Sequence, residues 1–235
     1  MPPCEVLRVI FMTIVSIKSG TSGEAVRQGI LRIELSDGSL FSYKDCYLPS
    51  PFTTDNYAIG SEINAAEEEA FRFASACLRT EKRALQLIAR AEQNVFGLSR
   101  KLQKRGHDPD CIRAVISWLC ESGLLDDRRY ARLWLESRIT RQATSPRRLL
   151  AALRSRGIDR HDAEAALKET LDDDAERQLL ERYVQKLQRK GASANSAPDP
   201  ADARALRYTL KSEGFSPLSI QCLFDHYPDT TRPEF

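Results

Sequence analysis

The sequence predicts a mainly α-helical protein, built from three tandem three-helix repeats in an elongated or curved array and preceded by a small N-terminal β-hairpin or sheet segment. Two observations predict this class. The first 60 residues alternate apolar and polar side chains around a turn, and beyond residue 80 the same residue types recur around Gly106, Gly157 and Gly214. Because short repeats bury their apolar faces partly on their neighbours, we favour an array over the alternative, a single compact bundle.

The N-terminal segment shows the period-two pattern of strands. The apolar run Val9–Ile17 is far shorter than the roughly 20 residues that cross a bilayer, and it lacks the flanks of a signal peptide, so we interpret it as a strand. Residues 30–35 alternate in side-chain character, and Asp37-Gly38 is a typical hairpin turn. Turn-forming residues follow, and a helical pattern begins at Ile63.

Each repeat is defined by positions counted from its glycine. Apolar residues at helical spacing precede and follow each glycine, which indicates a helix, a turn and a second helix. They are Leu98, Leu149 and Leu206 eight residues before; Leu102, Leu153 and Leu210 four before; Val115, Ala166 and Leu223 nine after; and Ile116, Leu167 and Phe224 ten after.

Residues that cap helix N-termini recur at the same positions in the three repeats, which is independent support for the pattern. Proline follows three of them at the first helical position, where its missing N–H is no loss. The predicted caps are Asn94, Ser145 and Asp202 twelve residues before the glycines, and Asp108, Asp159 and Ser216 two after.

A further helix is predicted ahead of each pair, at residues 82–92, 126–139 and 173–188. The third repeat is longer because residues 191–200, GASANSAPDP, have the composition of a flexible loop. The sequence therefore predicts four parts: a β-rich extension at 1–62, a linking helix with repeat 1 at 63–125, repeat 2 at 126–171, and repeat 3 at 172–235 with its loop insertion at 191–200.

Charge is unevenly distributed although the net charge is only +2. Residues 81–160 hold 18 Lys and Arg against 9 Asp and Glu, whereas the segments on either side are net acidic at −3 and −4. A basic middle indicates a polyanionic partner, and the alternative is an ordinary solvated helix surface. The six cysteines form no CxxC motif and the three histidines lie far apart, so we expect no metal site, no disulfide framework and a reducing cytoplasm.

The acid pair Asp126-Asp127 follows Gly-Leu-Leu and has three possible roles: a catalytic pair, half of a metal site, or the start of a helix. Catalysis needs further convergent groups, and the neighbours here are Arg128 and Arg129. We therefore interpret Asp126 as a helix cap and Asp127 as a first-turn acid that favours the helix dipole. No catalytic residue, metal or cofactor is predicted.

Helical spacing after the acid pair places Tyr130 and Trp134 on an apolar arc, which we interpret as core rather than as an exposed base-stacking platform. Arg138 falls inside this arc and needs a buried carboxylate or an exit route. Arg147 and Arg148 lie in a helical first turn, where cations oppose the dipole, so we infer a functional reason for them. The predicted partner and nucleic-acid-binding residues are Arg100, Lys101, Lys104, Arg105, Arg129, Arg132, Arg147, Arg148, Arg154 and Arg156.

These motifs resemble the bacterial RecX regulatory proteins over nearly the whole chain. GLLDDRRYA at 123–131 resembles the family's G-L-[LI]-[DN]-D-x-R-[FY]-A pattern, and PRRLLAALRSRGI at 146–158 resembles its P-x-x-I-x-x-x-L-x-x-x-G-I segment. The segment at 98–119 is similar to the family's first helix pair, whereas the insertion at 191–200 and Ala143-Thr144, in place of a glycine, depart from the pattern. The strand-rich start resembles an extension found in part of the family.

The resemblance implies a cytoplasmic, non-enzymatic modulator of the RecA recombinase, which binds the RecA nucleoprotein filament on DNA and limits strand exchange and co-protease activity. It implies roles in DNA recombination, DNA repair and the SOS response. Weak binding to single-stranded or double-stranded DNA, a monomeric state and no membrane contact are further expectations. Two alternatives stay open: a stand-alone helical DNA-binding module that acts without RecA, and a nuclease that uses Asp126 and Asp127.

Overall fold

The structure is a computed structural model that describes residues 12–19, 29–191 and 200–226. The predicted fold class is confirmed, since a small sheet precedes a chain of helices. The strands are β1 (Met12–Ser19), β2 (Ile30–Leu35), β3 (Leu40–Lys44) and β4 (Glu62–Ile63). The α-helices are α1 (Ala65–Ile88), α2 (Val95–Gln103), α3 (Pro109–Glu121), α4 (Asp127–Arg141), α5 (Pro146–Arg154), α6 (Arg160–Thr170), α7 (Asp173–Gly191), α8 (Pro200–Ser212) and α9 (Pro217–His226).

The sheet has the strand order β3-β2-β1-β4, and each neighbouring pair is antiparallel. The predicted alternation is confirmed in β2, where Ile33 and Leu35 are buried and Arg32 is exposed. The predicted turn is also present: Gly38 has a φ of 86°, and its N–H donates to the Leu35 carbonyl at 2.9 Å. The buried face packs on α1. Of the predicted strand 9–17, residues 12–17 lie in β1, and residues 9–11 lie outside the described residues.

Capping explains most of the helix starts. Asp108, Ser145 and Asp159 accept hydrogen bonds from backbone N–H groups in the first turns of α3, α5 and α6, as predicted. Ser216 does the same for α9, through the Ser219 N–H at 3.2 Å. Asp202 is not a cap, because α8 begins two residues before it at Pro200.

The three anchor glycines end the second helix of each predicted repeat in the left-handed backbone region, with φ values of 77° at Gly106, 84° at Gly157 and 88° at Gly214. The two helices predicted before the first glycine are in fact one helix. The sequence predicts separate helices at residues 63–80 and 82–92, but α1 is continuous from Ala65 to Ile88. The insertion residues 192–199 lie outside the described residues.

The chain divides into two compact units. The first comprises residues 1–92 and 98–125, and the second comprises residues 93–97 and 126–235. The second unit has a core of apolar side chains from α4 to α9, which includes Leu135, Leu149, Leu153 and Leu210, all at most 1% exposed. The finer division predicted from the sequence stays a prediction. Within the described part of the chain, no helix is long and apolar enough to cross a membrane.

Candidate nucleic-acid and partner interface

Four of the predicted basic residues lie at the second helix of the first repeat. Leu98 and Leu102 of α2 are fully buried, so the polar side of the helix faces solvent. The basic side chains on that side are all exposed: Arg100, Lys101, Lys104 and Arg105. The Arg105 Nη1 donates to the Lys101 carbonyl at 2.8 Å, which places a cation at the negative end of the helix dipole.

Positive charge around the end of α2 also acts on a histidine. The His107 Nδ1 lies 2.9 Å from the Thr80 Oγ1 of α1. Burial is the main cause that lowers the pKa of His107, and the nearby Arg83, Arg105 and Arg79 lower this pKa further. Because its usual pKa is already near 6.5, the histidine is mainly neutral at pH 7, and the charge of this surface comes from its arginines and lysines.

Helix α4 presents one of its two predicted contact residues to solvent. Arg132 is exposed, and no acidic partner is found for it among the described residues. Arg129 was expected to point outward beside it, but it is half-buried. The neighbouring Arg128, which was not predicted, forms a salt bridge with Glu169 of α6 and therefore has a structural role.

The aromatic side chains of α4 confirm the core interpretation only in part. Tyr130 and Trp134 are half-buried and pack against the core of the second unit. The Arg156 guanidinium lies 4.5 Å from the centre of the Trp134 ring and donates to the Ala152 carbonyl at 2.7 Å. The Arg138 guanidinium lies 5.7 Å from the centre of the same ring, and the side chain is exposed. Arg138 therefore reaches solvent and needs no buried carboxylate. Arg156 is thus engaged in cation–π packing.

Arg147 and Arg148 have structural partners that the helix-dipole argument missed. The Arg147 backbone N–H donates to the Glu213 carbonyl at 3.0 Å, and its Nη1 donates to the Ser212 carbonyl at 3.3 Å. The Arg148 Nε lies 3.9 Å from the Glu213 carboxylate, which also accepts from the Ser145 hydroxyl at 2.5 Å. The end of α8 thus offers carbonyls and a carboxylate to these arginines, which gives them a structural preference that the sequence did not indicate, and their role in binding stays a prediction.

Arg154 keeps the character expected of a contact residue. It is exposed on α5, and no partner is found for it among the described residues. It lies seven positions after Arg147, on the same side of the helix, and the exposed Ala151 lies between them on that side. Arg147, Ala151 and Arg154 thus form an exposed basic strip about two helical turns long.

The acid pair at the start of α4 is used twice by the fold. The Asp126 carboxylate accepts from the Arg129 N–H at 3.0 Å, which confirms the predicted cap. The Asp127 carboxylate accepts from the Val95 N–H at 2.8 Å, and burial raises its pKa. Sequence reasoning missed this contact across 32 residues. Among the described residues, no group of three or more His, Cys, Asp or Glu could hold a metal ion.

One exposed face was not among the predicted residues. On α8, Arg204, Tyr208 and Lys211 share one side of the helix and point away from the core. Their spacing of four and three residues indicates a shared helix side in the sequence itself, but the net acidic charge of residues 161–235 drew attention away from this segment.

Fold and surface together define a class of helical proteins that are built around glycine-anchored helix pairs and present basic helix faces. Residues 126–167 match a family model described as RecX, second three-helix domain. A regulatory protein RecX of Treponema pallidum is 34% identical over 166 residues, which cover 70% of this chain and 96% of the relative. The chain belongs to the RecX family of regulatory proteins.

Other relatives agree. A regulatory protein RecX of Halorhodospira halophila is 37% identical over 136 residues, 57% of this chain and 78% of the relative. A crystal structure of regulatory protein RecX superposes with a TM-score of 0.66 at 20% identity, over 91% of this chain and 99% of that one. RecX from Lactobacillus salivarius superposes with a TM-score of 0.53, over 65% and 97%. At this identity the superpositions support the fold alone.

Proposed function

We propose that this protein is a non-enzymatic regulator of the RecA recombinase. In this proposal it binds RecA filaments on DNA in the cytoplasm, as a monomer, and inhibits both recombinase and co-protease activity. Membership of a family of regulatory proteins is the observation that carries the proposal. The name of the relatives points to RecA as the partner.

The exposed basic side chains support a polyanionic target. A filament on DNA presents phosphates, and each Lys or Arg that neutralises one releases counterions and strengthens binding at low salt. Lys104, Arg132 and Arg154 are exposed and have no acidic partner among the described residues, so their charges are available to such a target. Arg147 and Arg148 are exposed as well, although they share their charge with the end of α8.

The non-enzymatic part of the proposal is supported by the acid pair. A general acid or base must be available to a substrate, whereas Asp126 caps α4 and Asp127 binds the first turn of α2. If the proposal is right, replacing both aspartates by asparagine changes the stability of the protein but abolishes no catalytic activity. Loss of a nuclease activity in that variant would support the enzyme alternative instead.

The direct test is RecA-driven strand exchange with purified protein at substoichiometric and equimolar amounts. We expect inhibition at substoichiometric amounts, and absence of any effect at equimolar protein would refute the proposal. The variant Arg132→Glu with Arg154→Glu should weaken inhibition while its helical circular dichroism stays native. A matched control is Arg160→Glu with Lys168→Glu on α6, two exposed cations that carry the same charge change.

Binding should be measured beside inhibition, with RecA filaments and with naked DNA as separate partners. Filament binding that exceeds binding to naked DNA is expected. Sequence-dependent duplex binding that survives competitor DNA, together with no effect on RecA, would favour the stand-alone DNA-binding alternative.

A further inference from the structure

Helix α8 presents a mixed cationic and aromatic face. At about 100° per residue, Arg204, Arg207, Tyr208 and Lys211 fall within an arc of roughly 100°. Leu210, on the other side of the helix, is fully buried in the core. Burial of the leucine side fixes the helix rotation, and the arc is therefore turned to solvent.

Tyr208 is the most exposed large apolar side chain among the described residues, at 77%. By contrast, Tyr130 and Trp134 of the second repeat are half-buried against the core. Neither a hydrogen bond of the Tyr208 hydroxyl nor a contact of its ring with another aromatic ring or a cation is found among the described residues. Packing therefore does not explain an aromatic residue at this position.

The three cations around Tyr208 differ in their contacts with the rest of the protein. Arg207 lies over the Phe224 ring of α9, 4.4 Å from its centre, and is anchored to the protein. Arg204 and Lys211 are exposed, one turn before and nearly one turn after Tyr208, and no acidic partner is found for either in the described part of the chain. They lie about 10 Å apart along the helix axis, with the ring between them.

Among the residues whose side chains the structure describes, no acidic group is paired with Arg204 or Lys211. Glu213, just after the helix, is turned to α5, where its carboxylate accepts from the Ser145 hydroxyl at 2.5 Å. The face is consequently cationic, although residues 161–235 as a whole are net acidic.

We propose that this face of α8 binds single-stranded nucleic acid, with one base stacked on the Tyr208 ring and adjacent phosphates at Arg204 and Lys211. Stacking on an exposed aromatic side chain flanked by cations is how proteins bind single strands without reading sequence. A protein partner is the competing occupant, because tyrosine and arginine are enriched at protein interfaces; lysine is depleted there, however, and the residues that define this arc include no aliphatic side chain.

This proposal rests on the proposed function, and it adds that the third repeat contacts a single strand of the DNA in the nucleoprotein filament. Its test needs no RecA, however. Fluorescence anisotropy with a labelled oligo-thymidine of about 20 nucleotides, titrated from 50 to 200 mM salt, separates stacking from charge. A duplex of the same length is measured in parallel.

Tyr208→Ala is expected to weaken single-strand binding about tenfold at every salt concentration, because it removes a stacked base and no charge. Tyr208→Phe keeps the ring and should bind within about twofold of the parent protein. Arg204→Ala with Lys211→Ala should lower the slope of log affinity against log salt by about 1.4, for two lost single-strand phosphate contacts. The control Arg160→Ala with Lys168→Ala removes the same charge on α6 and should leave the slope nearly unchanged.

Three results would overturn the proposal: unchanged single-strand affinity in Tyr208→Ala, equal losses in Tyr208→Ala and Tyr208→Phe, or an equal loss on duplex. If Tyr208→Ala instead weakens binding to RecA without DNA and spares the oligonucleotide, the face contacts protein and the proposal is wrong. Failure of RecA inhibition with the single-strand contact intact would count against the proposed function only.

Discussion

A buried ion pair in the first compact unit allows a quantitative prediction. The Lys44 Nζ donates to the Glu81 carboxylate at 2.5 Å, and the Tyr47 hydroxyl donates to the other oxygen of this carboxylate at 3.0 Å. The ammonium group also lies 4.3 Å from the centre of the Trp118 ring. Both charged side chains are at least nine-tenths buried. The pair therefore joins the end of β3 to α1 in surroundings that exclude water.

Replacing Glu81 by leucine leaves a buried ammonium group and a buried phenol without their acceptor. Removal of one partner of a buried ion pair costs about 3–5 kcal/mol, because the remaining charge keeps its desolvation cost and loses its attraction. Replacement of both partners by apolar residues of similar size is often neutral. We therefore expect Glu81→Leu to lower the free energy of unfolding by about 3–5 kcal/mol. Lys44→Met in the same protein should recover the part that comes from the unpaired charge, and about 1–3 kcal/mol should stay lost because the Tyr47 hydroxyl still lacks its acceptor.

Urea unfolding followed by tryptophan fluorescence can measure this in the correct unit. Trp118 lies in the first unit and Trp134 in the second, so a Trp134→Phe background leaves Trp118 as the reporter of the mutated unit. The loss should appear as a lower urea midpoint with a similar slope. A single variant within about 1 kcal/mol of its parent, or a double variant no more stable than the single one, would refute the account of a costly buried charge.

Three further predictions concern stability. Gly157→Ala should destabilise the protein more than Gly106→Ala in thermal unfolding: both have positive φ, which costs about 1–2 kcal/mol, but only at Gly157 would the new Cβ lie 2.5 Å from another side chain. Asp127→Ala should cost about 1–3 kcal/mol in urea unfolding by removing the acceptor of the Val95 N–H, whereas Asp127→Asn keeps an acceptor and should cost under about 1 kcal/mol. Burial and the nearby Glu81 carboxylate raise the pKa of Tyr47 above its usual value. The tyrosine hydroxyl therefore loses its proton at lower pH in the unfolded chain than in the folded one, and the free energy of unfolding should fall above about pH 10. Tyr47→Phe should make this fall smaller in thermal unfolding at pH 9–11.

Local signals in the sequence were sufficient for most of the helix ends. Asp108, Ser145 and Asp159 cap their helices because a short polar side chain needs only the next three residues to make its hydrogen bonds. Asp202 carries the same signal and fails, because Pro200 is itself a good first residue and starts the helix earlier. The break expected near residue 81 fails for a related reason: repeat spacing required it, but no glycine or proline between Ala65 and Ile88 ends the helix.

The candidate site was less predictable because its residues are decided by distant contacts. The sequence alone places Arg147 and Arg148 at a helix start, but their partners lie more than 60 residues further on. Arg156 reads as an outward cation and instead packs on the Trp134 ring of another helix. Lys104 could be predicted because it faces away from buried leucines, which is a property of its own helix.

The anchor glycines also have a role that the repeat pattern alone did not indicate. Phe96 and Arg147 each lie ten residues before the glycine of their own repeat, and each packs on the glycine of the next. A Cβ at Gly157 would lie 2.5 Å from the Phe96 Cβ, and one at Gly214 would lie 3.5 Å from the Arg147 backbone nitrogen. Gly157 and Gly214 thus each provide a turn and a place where the preceding repeat approaches closely, whereas a Cβ at Gly106 would meet nothing within 4 Å.

This offset accounts for how the third repeat can contain an insertion and keep its contact with the second. The contact uses the end of α8 at Ser212, Glu213 and Gly214, together with the start of α5. In the sequence the inserted residues stand before α8, whereas the contact with α5 lies just after the last residue of that helix, Ser212. Added length at the start of α8 therefore changes neither the glycine turn nor the hydrogen bonds to Arg147, and the outward face of α8 remains fixed by its buried leucine side.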